Sequence, residues 1–329
     1  MSISPTSRQL LVLLADGRFH SGTELAAAVA VSRSAVWKHL QALADLGLEL
    51  MAVSGKGYKL SRPLELLDRR LIEQCLDQSA LACLRDIEIH DVITSTNSYL
   101  LEAAQHHCDS GLVCLAEYQS AGKGCRGRRW VSPFGHNVYL SILWHYQNGP
   151  ASIAGLSLVV GLALAKVLRQ AGIEEIGLKW PNDIYWRSRK LGGILIEVSG
   201  ESGGPCHAVV GIGLNLYLPE PQGQVIDQAW TDLAQILGSA SAERNRLVAS
   251  LLNALLPLLA EFESKILSGY LAEWRGFDCM LGKPALVSVG EQQFHGIVRG
   301  VDEQGMLLLE QIDGQLRRFA SGEVSLKPT

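Results

Sequence analysis

Gly122-Lys123-Gly124-Cys125-Arg126-Gly127-Arg128-Arg129-Trp130 is the stretch on which the reading of this 329-residue chain turns. Its three glycines carry no Cβ, so the backbone can bend close to a bound group. Lys123, Arg126, Arg128 and Arg129 sit between and beside them. Loop N–H groups together with ammonium and guanidinium groups suit a polyphosphate. The run is neither a P-loop nor a dinucleotide fingerprint opening a helix. Taken alone it is equally a flexible basic surface loop, so its neighbours must decide.

Working outward, Leu112–Glu117 reads as a strand that feeds through Tyr118-Gln119-Ser120-Ala121 into the loop, and Val138–Trp144 as the strand after it. Upstream, the strand Asp86–Ile93 ends at Thr94-Ser95-Thr96-Asn97, with a helix from about Ser98. Short hydroxyl and amide side chains there either cap the helix or bind a small ligand. Downstream, Gly155–Gln170 is a largely apolar helix. Gly177–Trp180 and Ile184–Trp186 flank a Pro181-Asn182-Asp183 turn, and Arg189-Lys190-Leu191-Gly192-Gly193 precedes a strand at Ile194–Val198. Val209–Leu216 carries Gly211, Gly213 and Asn215, and glycines within a strand let a ligand lie near the sheet.

The ends of the chain differ from this middle. Ser21 with Glu24 forms a capping-box signature, and Ser32 caps a longer helix whose Val36, Leu40, Leu43 and Leu46 share one face. Leu48–Val53 and Tyr58–Leu60 flank a basic tip, Ser54-Gly55-Lys56-Gly57. Two helices across a tight turn followed by such a hairpin make a winged helix-turn-helix. DNA contacts would come from Ser32, Arg33, Ser34, Trp37, Lys38 and Lys56, with Trp37 equally readable as a core residue. A small helical protein-interaction module is the alternative. Residues 1–62 hold seven Lys/Arg against four acids, a net +3 within a chain of net −4, which fits an end that faces nucleic acid. At the other end, Pro284–Val289, Gln292–Val298, Met306–Leu309 and Leu316–Phe319 alternate between glycine turns (Gly290, Gly300, Gly305, Gly314, Gly322), as a small SH3-like barrel would.

Composition bounds the rest. Seven cysteines without a C-x-x-C pair indicate neither a disulfide framework nor a zinc site, and a reducing cytoplasm fits them. The apolar stretches Gly155–Leu168 and Leu247–Ala260 are expected to be too short for a bilayer helix, and no secretion signal is visible.

S-T-N (95–97), E-Y-Q-x-x-G-K-G-x-x-G-R-x-W (117–130), K-W-P-N-D (179–183), R-K-x-G-G-I-L-x-E (189–197) and G-I-G-x-N (211–215) occur in that order. Together, between these flanking modules, they resemble the biotin–protein ligase family. With the winged helix, the resemblance is to its bifunctional bacterial form, and it covers the whole chain. It implies an α+β fold: a DNA-binding winged helix-turn-helix at 1–62, a linker helix at 63–82, a class II synthetase-like ligase domain with a mixed sheet at 83–278, and an SH3-like barrel at 279–329 that helps dock the acceptor.

The resemblance also implies the chemistry. Biotin and ATP, with Mg²⁺, would give biotinyl-5′-AMP and pyrophosphate, and biotin would pass to a lysine of the biotin carboxyl carrier protein of acetyl-CoA carboxylase. Biotinyl-AMP would also be corepressor for a homodimer on operator DNA, with no membrane involved. Ser95, Thr96, Asn97, Gln119, Lys123, Gly124, Cys125 and Lys190 would bind biotin. Arg126, Arg128, Trp130, Asn182 and Asn215 would bind nucleotide, Lys190, Lys179 and Arg128 would be catalytic, and Asp183 would meet Mg²⁺. Such loops usually read G-[RK]-G-R-x-G-R, whereas this chain has Cys125 at the fourth position. The missing cation is expected to weaken the grip on the adenylate by about 1–3 kcal/mol. The surrounding cations are expected to favour the Cys125 thiolate. A sensor-only repressor, a lipoate or octanoate ligase, and a ligase with a purely structural winged helix are the other readings.

Overall fold

The computed structural model describes residues 3–106, 109–200, 203–238, 243–265, 267–321 and 324–328. The N-terminal helices are α1 (Pro5–Leu14), α2 (Gly22–Ala28) and α3 (Arg33–Ala44), followed by the hairpin β1 (Leu50–Val53) and β2 (Gly57–Leu60). The Ser21/Glu24 capping box is formed, and Ser32 Oγ accepts from Ala35 N at 3.2 Å. Leu10, Leu14, Leu25, Val36, Leu40 and Leu43 close the core. Gly57 is required at the hairpin: its φ is +103°, and a Cβ there would lie 2.0 Å from His20 O. Phe134, from the chain just after the Gly/Arg loop, is buried in the same core, which seats the winged helix on the body.

The expected continuous linker helix is not formed. The chain leaves Pro63 without helix, makes α4 (Arg69–Gln74), breaks, and makes α5 (Gln78–Cys83). Asp68 and Asp77 each cap a new helix by accepting from backbone N–H groups, and this restarts the chain twice. The stretch before α4 is held by a buried ion pair between Arg244 and Glu117. Glu117 also accepts from Leu67 N at 2.6 Å, and Arg244 donates to Glu65 O.

The body is a seven-stranded sheet of β3 (Asp86–Ile93), β4 (Leu112–Gln119), β5 (Val138–Tyr146), β6 (Ile176–Lys179), β7 (Asp183–Trp186), β8 (Arg189–Gly200) and β9 (Cys206–Leu214), ordered β3-β4-β5-β9-β8-β7-β6. Only β3 and β4 run parallel. α6 (Thr96–Gln105) covers one face through Leu100 and Ala104 against Leu112, Cys114 and Val209. α7 (Leu156–Gln170) and, beyond the short α8 (Glu220–Gly223) and α9 (Leu233–Leu237), α10 (Arg244–Lys265) belong to the core on the other face, with Val113, Leu115, Ile142 and Val210. Alternate residues of each strand thus serve opposite faces. By length and composition Pro150–Gln170 and Arg244–Lys265 could cross a bilayer, contrary to the sequence expectation; here their apolar residues pack into this core.

After α11 (Ser268–Arg275) come β10 (Pro284–Val289), β11 (Gln292–Val301), β12 (Leu307–Glu310), β13 (Leu316–Phe319) and β14 (Val324–Pro328), an antiparallel sheet ordered β13-β12-β11-β10-β14. It is tied to the body where chemistry is expected. Leu178 N donates to Phe277 O, Cys279 N to Leu178 O, and Trp180 Nε1 to Gly305 O. The expected turn at Gly322 and Cys108 lie outside the described residues. Cys75, Cys83, Cys114, Cys125, Cys206 and Cys279 are free thiols.

Candidate active site and nucleic-acid interface

The ends of β4, β8 and β9 and the first turn of α6 meet in one cleft. Ser95, Thr96, Asn97, Gln119, Lys123, Gly124, Cys125, Arg128, Trp130, Asn182 and Lys190 all line it. α6 begins at Thr96 rather than Ser98, with Ser95 as its cap, so Thr96 and Asn97 are turned inward and buried. Gln119 Oε1 accepts from Thr96 N (2.9 Å), and Gln119 Nε2 donates to Ser132 Oγ (3.1 Å). Ser141 Oγ donates to Asn97 Oδ1 (2.6 Å) and lies 2.7 Å from Thr96 Oγ1. Asn97 Nδ2 donates to Leu195 O and to Glu197 Oε2 (2.9 Å). This floor is a buried, mutually ordered set of donors and acceptors that suits a small polar ring. Gly211 makes room for it: a Cβ there would fall 2.0 Å from Asn97 Oδ1.

The Gly/Arg loop forms a flap over this floor. Trp130 N donates to Gly122 O (2.8 Å) and Gly124 N to Arg128 O (2.6 Å), making a narrow neck. Cys125–Gly127 turns the tip, with Arg126 in the left-handed region at φ 60°. The Trp130 indole lies against Gly213, where a Cβ would meet it at 2.4 Å, and under the Lys190 ammonium, 5.6 Å from the ring centroid. Asn182 Nδ2 donates to Cys125 Sγ and to Ile194 O.

Lys190 and Lys179 converge on Asp183. Lys190 Nζ is 2.6 Å from Asp183 Oδ1, Lys179 Nζ is 3.6 Å from Oδ2, and all three side chains are nearly buried. Lys190 stands within β8, just before a bulge at Leu191 opposite β7; the Gly192-Gly193 pair is not a turn ahead of the strand. Gly192 permits close strand approach, since its Cβ would be 2.9 Å from Gly213 O. Burial lowers the Lys179 pKa below the ordinary lysine range, and Asp183 offsets this only in part. The Cys125 thiol is pushed up, chiefly by burial and then by Asp183; Asn182, Lys190 and Arg128 pull the other way and lose. The expected thiolate is therefore corrected: neighbouring cations do not outweigh desolvation here.

A second groove continues from the first through Cys125, Arg128, Asn182 and Gln228 to Arg126, Lys179, Asp183 and Lys327 of the C-terminal sheet. Asn215 is set to one side, with its Nδ2 donating to Thr231 O and its walls shared with Trp130 and Trp230. Among the described residues no three His, Cys, Asp or Glu side chains gather as a metal cage. Asp183 is the carboxylate at the seam, and two lysines already neutralise it. Sequence reasoning assigned no role to Ser141, Ser132, Glu197 or Gln228. Only Glu197 had a signal, as the last residue of the quoted R-K-x-G-G-I-L-x-E run.

Ser32, Arg33, Ser34, Trp37, Lys38 and Lys56 lie on the winged helix, outside the cleft. Arg33, Ser34 and Lys38 are exposed on α3 and Lys56 at the wing tip. Ser32 is partly spent as a cap. Trp37 is 55% exposed, so it belongs to the outer face of α3 and not to the core. Lys56 and Lys59 both project over the Phe19 ring, which ties the wing to the segment before α2.

The chain matches an HTH domain family over residues 6–59, the biotin/lipoate A/B protein ligase family over 89–215 and the biotin protein ligase C-terminal domain over 281–327. It is 44% identical to the bifunctional ligase/repressor BirA of Salmonella typhimurium over 97% of this chain and 96% of that one. To the Escherichia coli protein of the same description it is 42% identical over the same shares. The biotin protein ligase of Aquifex aeolicus, solved with biotin and ATP, superposes with a TM-score of 0.62 at 26% identity, covering 75% of this chain and all of that one. Identity of this extent along nearly the full length of both chains, with three domain matches in the same order, means that the protein belongs to the family of bifunctional biotin–protein ligases and repressors.

Proposed function

We propose that this chain activates biotin with ATP to biotinyl-5′-AMP, transfers the biotinyl group to a lysine of a biotin carboxyl carrier protein of acetyl-CoA carboxylase, and represses transcription as a biotinyl-AMP-loaded homodimer on operator DNA. In this reading residues 1–62 bind DNA, 83–278 hold the ligase and 279–329 form the C-terminal barrel. The reading places the chain in the cytoplasm, where ATP, carrier and operator are found together. One observation carries it: a buried polar floor and a cation-lined outer groove share the walls Cys125, Arg128, Asn182 and Gln228, and the Lys190–Asp183 pair links them.

The floor of Ser95, Thr96, Asn97 and Gln119 takes the ureido ring of biotin. The carboxylate tail then extends under Lys123 and Gly124 toward Lys190. The triphosphate occupies the outer groove near Arg126, Arg128 and Lys179, and the base lies by Trp130 and Asn215, with Asn182 at the junction. A carboxylate oxygen of biotin attacks the α-phosphorus, the bond to the bridging oxygen breaks, and pyrophosphate leaves. The Lys190 ammonium shifts from Asp183 onto the carboxylate and α-phosphate, screening two anions that must approach. Mg²⁺ would screen the remaining phosphate charge, held mainly by phosphate oxygens with Asp183 as a protein carboxylate beside it. In the second step the carrier lysine amine attacks the mixed-anhydride carbonyl and AMP leaves. No enzyme nucleophile is required.

The test is pyrophosphate release from ATP with biotin or lipoate, followed by label transfer to a carrier domain. Biotin alone should support both. Release with lipoate and not biotin overturns the assignment. Operator affinity is measured with and without biotin plus ATP over a salt series. Specific binding should require the ligands and weaken with a log–log slope of about −0.9 per phosphate contacted. Binding indifferent to ligand removes the repressor half.

A further inference from the structure

Resting on the ligase reading above, we propose that Glu197 is a positioning residue that latches the flap to the biotin floor and so sets how long the adenylate stays bound. Gly193 and Leu195 line the cleft from β8, and Glu197 is the next residue on the same face, at the rim. Its two carboxylate oxygens do different things. Oε2 accepts from Nδ2 of Asn97, a floor residue only 4% exposed. Oε1 lies 3.3 Å from Nζ of Lys123, in the flap neck between Gly122 and Gly124. One carboxylate thus joins the fixed and the hinged parts of the pocket.

The competing description is an ordinary solvated ion pair, worth little because two free side chains must be ordered. Glu197 differs in that respect. Asn97 already fixes its carboxylate, and Asn97 is itself held by Ser141 and by Leu195 O. The second oxygen therefore meets Lys123 at the entropic cost of the lysine side chain alone. The flap is also attached through Trp130 against Gly213 and Lys190, through Cys125 Sγ to Asn182 and Ile194 O, and at the neck by Ala121 N donating to Thr94 O and Ser132 Oγ donating to Trp130 O. None of these contacts involves Asn97, to which the Glu197 carboxylate is bonded. Loss of the latch frees the Lys123 side of the neck and leaves Lys190, Lys179 and Asp183 untouched, so the effect falls on residence time and not on the chemical step.

The experiment measures release of preformed biotinyl-AMP from the full-length protein, together with kcat and KM for adenylate formation. Glu197→Gln keeps an acceptor for Asn97 and removes the ion pair. It should speed release about two- to fivefold, with kcat for adenylation within about twofold of wild type. In a Lys123→Arg background, which keeps the pair, Glu197→Gln should speed release by the same factor as in wild type. Adding Glu197→Gln to Lys123→Met should change release by less than about twofold, because the partner is already gone. Wild-type release should rise with salt between about 0.05 and 0.5 M, as screening weakens the exposed pair, a measurement that needs no variant. A flat salt profile, unchanged release in Glu197→Gln, or equal effects of Glu197→Gln with and without Lys123 each overturn the latch. A wild-type chain that makes no biotinyl-AMP overturns the ligase reading instead.

Discussion

The floor of the cleft and the flap above it use the same kinds of polar groups under opposite rules. On the floor, Thr96, Asn97, Gln119 and Ser141 are buried and hydrogen-bonded to one another, so each fixes the next. In the flap, Lys123, Arg126, Arg128 and Arg129 are exposed, and the loop is held at a few points only. A buried network gives orientation and discrimination, since a misfit leaves buried groups unpaired at a cost of about 1–3 kcal/mol each. A tethered, solvated loop gives entry, closure and exit. The comparison implies that changes in the floor alter which ligand binds, and changes in the flap alter how long it stays.

The sharpest break comes at the seam. Lys190 is buried, paired to Asp183 and stacked over Trp130, and so belongs to neither region. Lys190→Ala should reduce adenylate formation by about 10²–10³-fold, the usual worth of one preorganised transition-state cation or donor. Biotin binding at equilibrium should change far less. Full-speed synthesis by a folded Lys190→Ala protein would remove the proposed chemistry.

Two glycines on one strand then separate floor from flap. In Gly211→Ala the new Cβ collides with Asn97, the centre of the floor; in Gly213→Ala it collides with the Trp130 indole, an anchor of the flap. Gly211→Ala should weaken biotin by about 10–100-fold, as one or two floor hydrogen bonds are lost. Gly213→Ala should leave the biotin Kd near wild type and raise the KM for ATP with faster adenylate release. Calorimetry with biotin alone, set against release kinetics, distinguishes them. Equal loss of biotin affinity in both would mean that floor and flap form a single unit.

These glycines also show how far the sequence could be read. Gly211 and Gly213 were legible as places where something lies close to a strand, because an absent Cβ is a local fact. Gly192-Gly193 looked like a turn for the same local reason. The structure makes them strand residues because β9 crosses there at contact distance, and one chain segment cannot reveal that. Caps at Ser21 and Ser32 were readable because their partners lie three residues away. The Glu117–Arg244 pair, which holds the linker to the sheet, joins residues 127 apart and has no local signature. Trp37 was ambiguous because an aromatic residue on a helix is compatible with either face. The Cys125 titration was misread because charge is visible in a sequence and burial is not.

Lys179 tests the seam by pH. Its folded pKa lies below the ordinary 10.5, mainly through burial. Between that depressed value and 10.5, the unfolded chain binds more protons at this site than the native one, so the contribution of Lys179 to stability should rise with pH there, against the opposite contribution of the buried Cys and Tyr groups whose pKa burial raises. Activity should fall over the same window, because the cation proposed to face the phosphates is being lost. The signature is opposite signs of the Lys179 contributions to melting temperature and to adenylation rate, each read as wild type minus Lys179→Arg. Lys179→Arg keeps its charge throughout, so it should abolish the alkaline loss of rate and also the alkaline gain in stability. An alkaline loss of rate in Lys179→Arg equal to that of wild type would assign the pH effect to other groups.

The smallest expected effect concerns Cys125, where the flap tip departs from the usual arginine. Its sulfur faces Asn182, and burial and Asp183 keep the thiol protonated. The site is therefore a neutral hydrogen-bonded anchor and not a charged one. Cys125→Arg restores a guanidinium, but that group would also face Asp183, which already binds Lys190 and Lys179. Part of the added charge is then spent on Asp183 before it reaches a ligand. Slowing of biotinyl-AMP release should be about fivefold, near 1 kcal/mol, at the low end of a charged hydrogen bond. The same protonation state predicts slow alkylation of wild-type Cys125 near neutral pH, accelerating as pH rises toward and past the ordinary thiol range. Release at the wild-type rate in Cys125→Arg would show that the flap tip contributes nothing to residence time. The neck would then be its only useful anchor, and the contrast with the floor would narrow to Lys123 and Trp130.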